Sequence, residues 1–488
     1  MKLYNYLKGI EVLETTVTRF DMDISGVTSR TDEVENNYIY VCLKGLTVDG
    51  HKFADKAKEK GATLLVVEKA DECVRNTGLP YIKVKNTRAI LALMCSAHNG
   101  HPEEELKIIA VTGTNGKTST CRILSEIYVR AGFSVVTMGT LDGGLTTRDP
   151  EDLFKALRKA FDNGADTVIM EASSHALYLD KLYGVIFDGA IFTNLTEEHL
   201  DFHKNMDEYA LAKAKLFSMS RFGVYNADDE YCEKVSSTSY GRKYFYSLYN
   251  RNADFYIENY KENKTDGFEY ELIARGDVIN VKSKLCGMFN VYNTMSACAF
   301  AYLDGIEKTI IEKGVSSVLN VRGRLEKLEL YSAPFSVYID YAHTPDALEK
   351  VLLCIRSFKH SEQKITVLFG CGGDRDRLKR RTMGQIASRL ADFVIVTSDN
   401  SRSENPSDII SEIMKGIDKE RPHIVIENRR EAIEYAMMTA DSNDIILLAG
   451  KGHEEYEIDS NGKRYFSEKE IAEKAVYKRF KGNDNRII

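Results

Sequence analysis

Short apolar runs alternate with amphipathic stretches along most of the chain. Ile108-Ile109-Ala110-Val111 is one such run, and Ile123, Leu124, Ile127, Tyr128 and Ala131 follow it at helical spacing. The pattern predicts a strand, a tight loop and a helix beginning at about Thr118. The segment 104–240 continues in this alternation. It returns after residue 335, where Ser336 to Ile339, Ile365 to Phe369, Phe393 to Val396 and Ile445 to Ala449 are apolar and "DALEKVLLCIRSF" (346–358) is helical in period. Strands alternating with helices predict parallel α/β sheets. Between 240 and 285, "YFYSLY", "ADFYIENY", "GFEYELIA" and "DVINVKSKL" read instead as hairpin strands, an antiparallel flap on the middle sheet. Polar breaks at "HNGHPEEELK" (98–107) and "GRLEKLELYSAPF" (323–335) divide the chain into three expected domains, 1–103, 104–330 and 331–488.

Composition adds mostly exclusions. The 488 residues are 43% hydrophobic and 28% charged, as in an ordinary globular protein. A formal charge of −7 gives no global attraction to nucleic acid or an anionic membrane, so an anionic ligand needs a local cationic site. There is no apolar run of roughly 18 residues and no signal-peptide core at the start, so no membrane partner is expected. Nine scattered cysteines without a C-x-x-C pair read as reduced thiols of a cytoplasmic protein. Cys371 lies in a glycine-rich loop, but no His or other base stands beside it to activate it.

Candidate chemistry clusters after the strands. Gly113-Thr114-Asn115-Gly116-Lys117-Thr118 resembles a phosphate loop, although the usual pattern has glycine where Val111 stands. The glycines let backbone N–H groups approach phosphate oxygens at the positive end of the following helix. Lys117 would neutralise the β/γ phosphates, and the Thr118 hydroxyl would reach Mg2+. In "DTVIMEASSHAL" (166–177), Glu171 ends an apolar run, the place where an acid holds Mg2+ in many nucleotide hydrolases. His175 alone reads as a core histidine. "IFTNLTEEHLDFH" (191–203) brings Glu197, Glu198, His199, Asp201 and His203 after another strand, mostly hard oxygen ligands with imidazoles among them. In "DEYALAKAKLF" (207–217), Lys213 and Lys215 would both be solvated surface lysines on an isolated helix.

Taken in order, "GTNGKTS", "EASSHAL", "FTNLTEEHLDFH", "AKAKLF", "GMFNVYN", "GRLE", "DYAHTPDAL" and "GCGGDRDRLKR" resemble the Mur ligases, ATP-dependent amide-forming enzymes of peptidoglycan assembly. The N-terminal stretch 28–62 is similar to that family's nucleotide-sugar domain, so the resemblance covers nearly the whole chain. It implies a UDP-substrate-binding α/β domain, a central P-loop ATPase-type parallel sheet with its flap, and a Rossmann-like C-terminal α/β domain. It implies ATP contacts from Gly113 through Thr118 and Ser119, with Asn290, Asn293, Arg324, Asp340 and His343. It implies Mg2+ held by Thr118, Glu171, His199 and Lys213, the last carbamylated by CO2 into a carboxylate-like ligand. Lys117, Glu171, His199 and Lys213 are thus the implied catalytic set.

For the substrates, the resemblance implies that Ser29, Arg30, Thr146, Thr147, Ser173 and Lys181 hold a UDP-N-acetylmuramoyl-dipeptide. Arg375, Asp399, Asn400, Arg402, Gly450 and Glu454 would hold the incoming amino acid. The family's D-N-P-R pattern goes with meso-diaminopimelate; here it reads Asp399-Asn400-Ser401-Arg402. Arg402 favours that amino acid over lysine, which has no second carboxylate to grip. Otherwise Arg402 is a surface residue pairing with Glu404.

Departures from the family pattern leave the sugar-peptide contacts open: Lys181 stands where arginine is expected, Arg322 where proline is usual, and "GTLDGGLTTRDP" (139–150) lacks the "TTP". Rival readings are ligation of lysine, a paralogous ligase on another carboxylate, and a non-catalytic nucleotide switch. The last has no use for Glu171, His199 and Lys213 together. The expected protein is a cytoplasmic monomer.

Overall fold

The computed structural model describes residues 1–45, 48–142, 145–200, 202–263, 267–330 and 333–480. Asp201 therefore lies outside the described residues. Among the described residues, three large sheets follow one another along the chain, with a two-stranded hairpin, Tyr456–Asp459 and Gly462–Tyr465, after the third. The first is five-stranded; Gly26–Thr28, Tyr38–Val41, Ala62–Val67 and Tyr81–Lys83 run parallel, with Glu14–Thr15 added antiparallel at the edge. The second is nine-stranded and spans Lys107 to Ser283. The third is six-stranded; Ser336–Asp340, Ile445–Ala449, Ile365–Phe369, Phe393–Val396 and His423–Val425 are parallel neighbours.

Two strand codes coexist in the nine-stranded sheet. Lys107–Thr112 is buried at five successive positions, because helices cover both faces of the parallel part. Phe268–Ala274 and Asp277–Ser283 alternate buried with more exposed positions, as antiparallel strands with one open face do. The expected four-stranded flap needs a correction. Arg242–Ser247 pairs parallel with Phe222–Asn226 and extends the core sheet. Phe255–Glu262 also starts parallel to it, and antiparallel pairing begins only between Phe255–Glu262 and Phe268–Ala274. Aromatic-rich strands look alike in either direction; the neighbour supplied by the tertiary fold decided this one.

The first two sheets share one hydrophobic core. Leu91 and Met94, on helix Thr87–His98, belong to the same cluster as Leu153 and Leu157 on helix Pro150–Asp162. Polar contacts add to this seam, since Ser29 N and Oγ both donate to Glu151 Oε1, at 3.0 and 2.7 Å. Among the described residues, no helix is long and apolar enough to cross a membrane. Cys371 is buried beside Met383, and burial pushes its thiol up to about 12, which leaves it unreactive.

Candidate active site

The loop after Thr112 is held by its neighbours before any ligand is considered. Helix Lys117–Arg130 starts at Gly116, whose φ of 89° lies in the left-handed region. A side chain there would collide with Asn293 Oδ1, so glycine is required twice over. Asn194 Oδ1 accepts from Asn115 N at 3.0 Å, and its Nδ2 donates to Asn115 O at 3.0 Å. Thr193 Oγ1 donates to the same carbonyl at 2.6 Å. Thr193 and Asn194 lie in the quoted "IFTNLTEEHLDFH", yet nothing in their spacing singles them out as the splint of the loop. Lys117 Nζ folds back to donate to Gly113 O (3.0 Å) and Thr114 O (2.8 Å), and burial lowers its pKa. Ser119 is buried in the helix's first turn.

Glu171 meets the helix at this point. Its Oε1 accepts from Thr118 Oγ1 and Thr140 N, and its Oε2 from Thr140 Oγ1, all at 3.0 Å. Arg324, which stacks on Tyr341, donates to Thr118 Oγ1 at 3.1 Å. Asn293 Nδ2 donates to Asn290 Oδ1 at 3.0 Å, and Asp340 accepts from Leu325 N and Ala342 N at 2.6 and 2.7 Å. Burial raises the Asp340 pKa. Of the implied nucleotide set, Arg324 thus ties the third sheet's unit to the phosphate loop, while Asn290 and Asn293 bond each other within helix Met288–Leu303 and Asp340 holds its own loop.

Lys213 is 1% exposed, which overturns the surface reading. It sits on helix Met206–Ser218, where Lys215, two residues on, faces outward and pairs with Asp180. Lys213 Nζ donates to Gly113 O at 2.8 Å and lies 4.6 Å from the centre of the Tyr209 ring. No carboxylate among the described residues lies within ion-pair distance of it, and burial drives its pKa well below the ordinary value. His199 has a φ of 58°, and its ring centre lies 4.6 Å from that of His175. Burial lowers the His199 pKa to about 4. Its Nε2 is 3.7 Å from Glu198 Oε2, while His343 Nε2 is 3.2 Å from Glu198 Oε1. Burial pushes the Glu198 pKa up, but these two imidazoles outweigh it and hold the carboxyl below the usual range. Glu198 thus carries more of the site than the sequence assigned to it. Hydroxyl, carboxylate and imidazole groups such as those of Thr118, Glu171 and His199 are donor types that a hard divalent cation accepts.

A cleft of about 1520 Å³ joins this region to the third sheet. Its walls include Thr146, Thr147, Ser173 and Lys181 on one side, Glu198, His199 and His343 between, and Arg375, Asp399, Asn400, Arg402, Gly450 and Glu454 opposite. Thr147 Oγ1 donates to Glu171 O and accepts from Ser173 N, each at 2.9 Å. Lys181 pairs with Asp149 at 2.6 Å. Ser29 and Arg30 do not line this cleft; Arg30 pairs with Glu33, Asp149 and Asp152 at 2.7, 3.2 and 2.7 Å. Arg322, the replaced proline, pairs with Glu455.

On the third-sheet wall, Arg402 does not pair with Glu404. It donates to Gly373 O at 2.7 Å and Asn400 O at 3.3 Å, while Glu404 is gripped by the buried Arg380 at 2.8 Å. Arg375 donates to Asp374 O at 3.1 Å. Gly450 has a φ of 115°, and a side chain there would meet Asp399 Oδ2 at 2.7 Å. Burial opposes ionisation of Asp399, but Lys451 and Arg429 hold its pKa down at about 2. Arg380 and Arg429 each stand beside a second arginine, Arg381 and Arg430, in their helices, with no local signal of which one is buried to lock loops together.

Three family models match the chain: "Mur ligase family, catalytic domain" over residues 23–99, "Mur ligase middle domain" over 111–301, and "Mur ligase, glutamate ligase domain" over 323–452. The UDP-N-acetylmuramoyl-L-alanyl-D-glutamate--2,6-diaminopimelate ligase of Clostridium botulinum is 37% identical, over 98% of this chain and 99% of that protein. The Clostridioides difficile protein of the same name is 38% identical, over 98% of this chain and 100% of that protein. A solved structure of a ligase of this name superposes with a TM-score of 0.67 at 29% identity, covering 98% of each chain. MurF from Acinetobacter baumannii shares the fold, with a TM-score of 0.63 at 17% identity, over 92% of this chain and 95% of that one.

Proposed function

This chain belongs to the Mur ligase family, and we propose on that premise that it joins meso-diaminopimelate to UDP-N-acetylmuramoyl-L-alanyl-D-glutamate with ATP, giving the UDP-linked tripeptide, ADP and phosphate. The supporting observation is the single cleft whose walls carry Thr146, Thr147, Ser173 and Lys181, then Glu198 and His199, then Arg375, Arg402 and Glu454. A donor carboxylate and an acceptor amine entering from opposite sides would meet between them. We assign the nucleotide-sugar to the first sheet's unit, ATP to the middle unit and the amino acid to the third, in the cytoplasm and within one chain.

A carboxylate is a poor electrophile at neutral pH. Phosphorylation by ATP makes an acyl phosphate, the amine attacks its carbonyl carbon, and phosphate leaves. Lys117, bound only to carbonyls, is available to neutralise phosphate oxygens as two anions approach. Thr118, Glu171, His199 and carbamylated Lys213 are the groups we assign to Mg2+, which when bound adds charge neutralisation at the phosphates. The depressed pKa of Lys213 favours the neutral amine that CO2 requires. Arg402, with no carboxylate partner of its own among the described residues, is placed to take the amino acid's distal carboxylate.

An amino-acid panel with the UDP-linked dipeptide tests this reading. Phosphate release should require both substrates and prefer meso-diaminopimelate, and Arg402→Ala should raise KM for it by roughly 10- to 100-fold. Efficient use of lysine, unchanged by Arg402→Ala, would sink the amino-acid assignment. Hydrolysis indifferent to both substrates would favour the nucleotide-switch alternative.

A further inference from the structure

Behind the amino-acid wall lies a cation that none of the substrate or metal roles above includes. Lys451 follows Gly450 at the end of strand Ile445–Ala449, and its side chain is 0% exposed. Its Nζ donates to Asn400 Oδ1 and to Tyr456 O, both at 2.9 Å, and lies 3.9 Å from Asp399 Oδ1. An ammonium is costly to bury unless its donors are satisfied, and these acceptors satisfy them.

Asn400 Oδ1 accepts a second bond, from Ile458 N at 3.0 Å. Two donors converging on one end of an amide settle which end is oxygen. Turned over, the amide would set its NH2 against an ammonium and an N–H. Asn400 Nδ2 therefore faces the cleft, where it donates to Glu454 Oε2 at 2.9 Å. Tyr341 OH lies 3.3 Å from the other oxygen, Oε1. The backbone joins in, since Glu454 N donates to Lys451 O at 2.9 Å. Glu454 lines the cleft and Lys451 does not.

We propose that Lys451 is a positioning residue for amino-acid selection. Through the amide of Asn400 it aims the Glu454 carboxylate at the distal amine of the incoming amino acid. This rests on the ligase reading above, but not on the choice of amino acid, because meso-diaminopimelate and lysine both carry a distal amine.

The test compares steady-state constants. Wild-type protein that accepts no amino acid would overturn the ligase reading itself; wild type that prefers lysine leaves this test in place, with lysine as the varied substrate. Lys451→Met should raise KM for the accepted amino acid about tenfold and leave KM for ATP and the UDP-linked dipeptide within about twofold. Equal losses for all three substrates would mean a merely structural role and overturn the proposal. The same substitution on a Glu454→Gln background should add little, since the carboxylate that Asn400 orients is gone. Losses that multiply in the double variant would also overturn it. If the methionine variant does not fold, Lys451→Gln serves in the same cycle. Its shorter amide cannot reach both Asn400 and Tyr456, so a smaller rise in KM is expected and an unchanged KM refutes the proposal.

Discussion

On the middle-sheet wall of the cleft, Lys117 and Lys213 point their side-chain nitrogens at main-chain carbonyls of the phosphate loop. On the third-sheet wall, Arg380 is clamped by Glu404 and Glu412, Arg429 by Glu468, and Lys451 by the Asn400 amide. The first pair is under-compensated, and burial lowers both of its pKa values. The second group is neutralised within the protein, and burial there holds loops in place. A wall that must receive phosphates, and whose Lys213 is to take up CO2, keeps these two lysines free of carboxylate partners among the described residues. A wall that must present a fixed template to one amino acid spends its buried charge on itself.

The sharpest way to break this contrast is Lys213→Ala. Loss of the amine that would carry the carbamate should lower turnover by at least about 100-fold with little loss of stability. A small carboxylic acid in the buffer should restore part of the activity by standing in for the carbamate. An undiminished Lys213→Ala protein would refute the role. Asp399→Asn probes the opposite wall by pH. The Asp399 pKa falls from 3.8 to about 2 in the folded protein. A depressed carboxyl contributes stability above its unfolded value and loses it as pH falls through the folded one. The contribution is on the order of 2 kcal/mol at neutral pH. Urea midpoints of wild type and variant should therefore stay apart down to about pH 4 and converge toward about pH 2. A gap that persists to about pH 2 would mean that Asp399 is not held by charge. The smallest effect belongs to Lys215→Ala. Its exposed pair with Asp180 should be worth less than about 0.5 kcal/mol, and activity should match wild type. A loss comparable to that of Lys213→Ala would erase the distinction between the two faces of the helix.

Local pattern made much of this legible. Helix Lys117–Arg130 starts within one residue of the expected place, and four apolar runs after residue 335 are strands of the third sheet. The parallel pairing of Arg242–Ser247 was not legible, because direction is a property of the neighbour and not of the strand. The same limit hid Thr193 and Asn194 as the splint of the loop, and Glu198 as the acid shared by His199 and His343.

By itself, the sequence determined the element order, the residue types of a phosphate loop with its acids, and the resemblance of the whole chain to one ligase family. Periodicity and ordered spacing are local or collinear signals, so they survive without coordinates. Only the tertiary structure decided which of two nearly adjacent lysines is buried, that Arg402 is not spent on Glu404, and that Lys451 stands behind Asn400 and Glu454. Burial and pairing depend on what other segments bring to a side chain, and those segments lie up to hundreds of residues away; Arg324 reaching Thr118 is the plainest case.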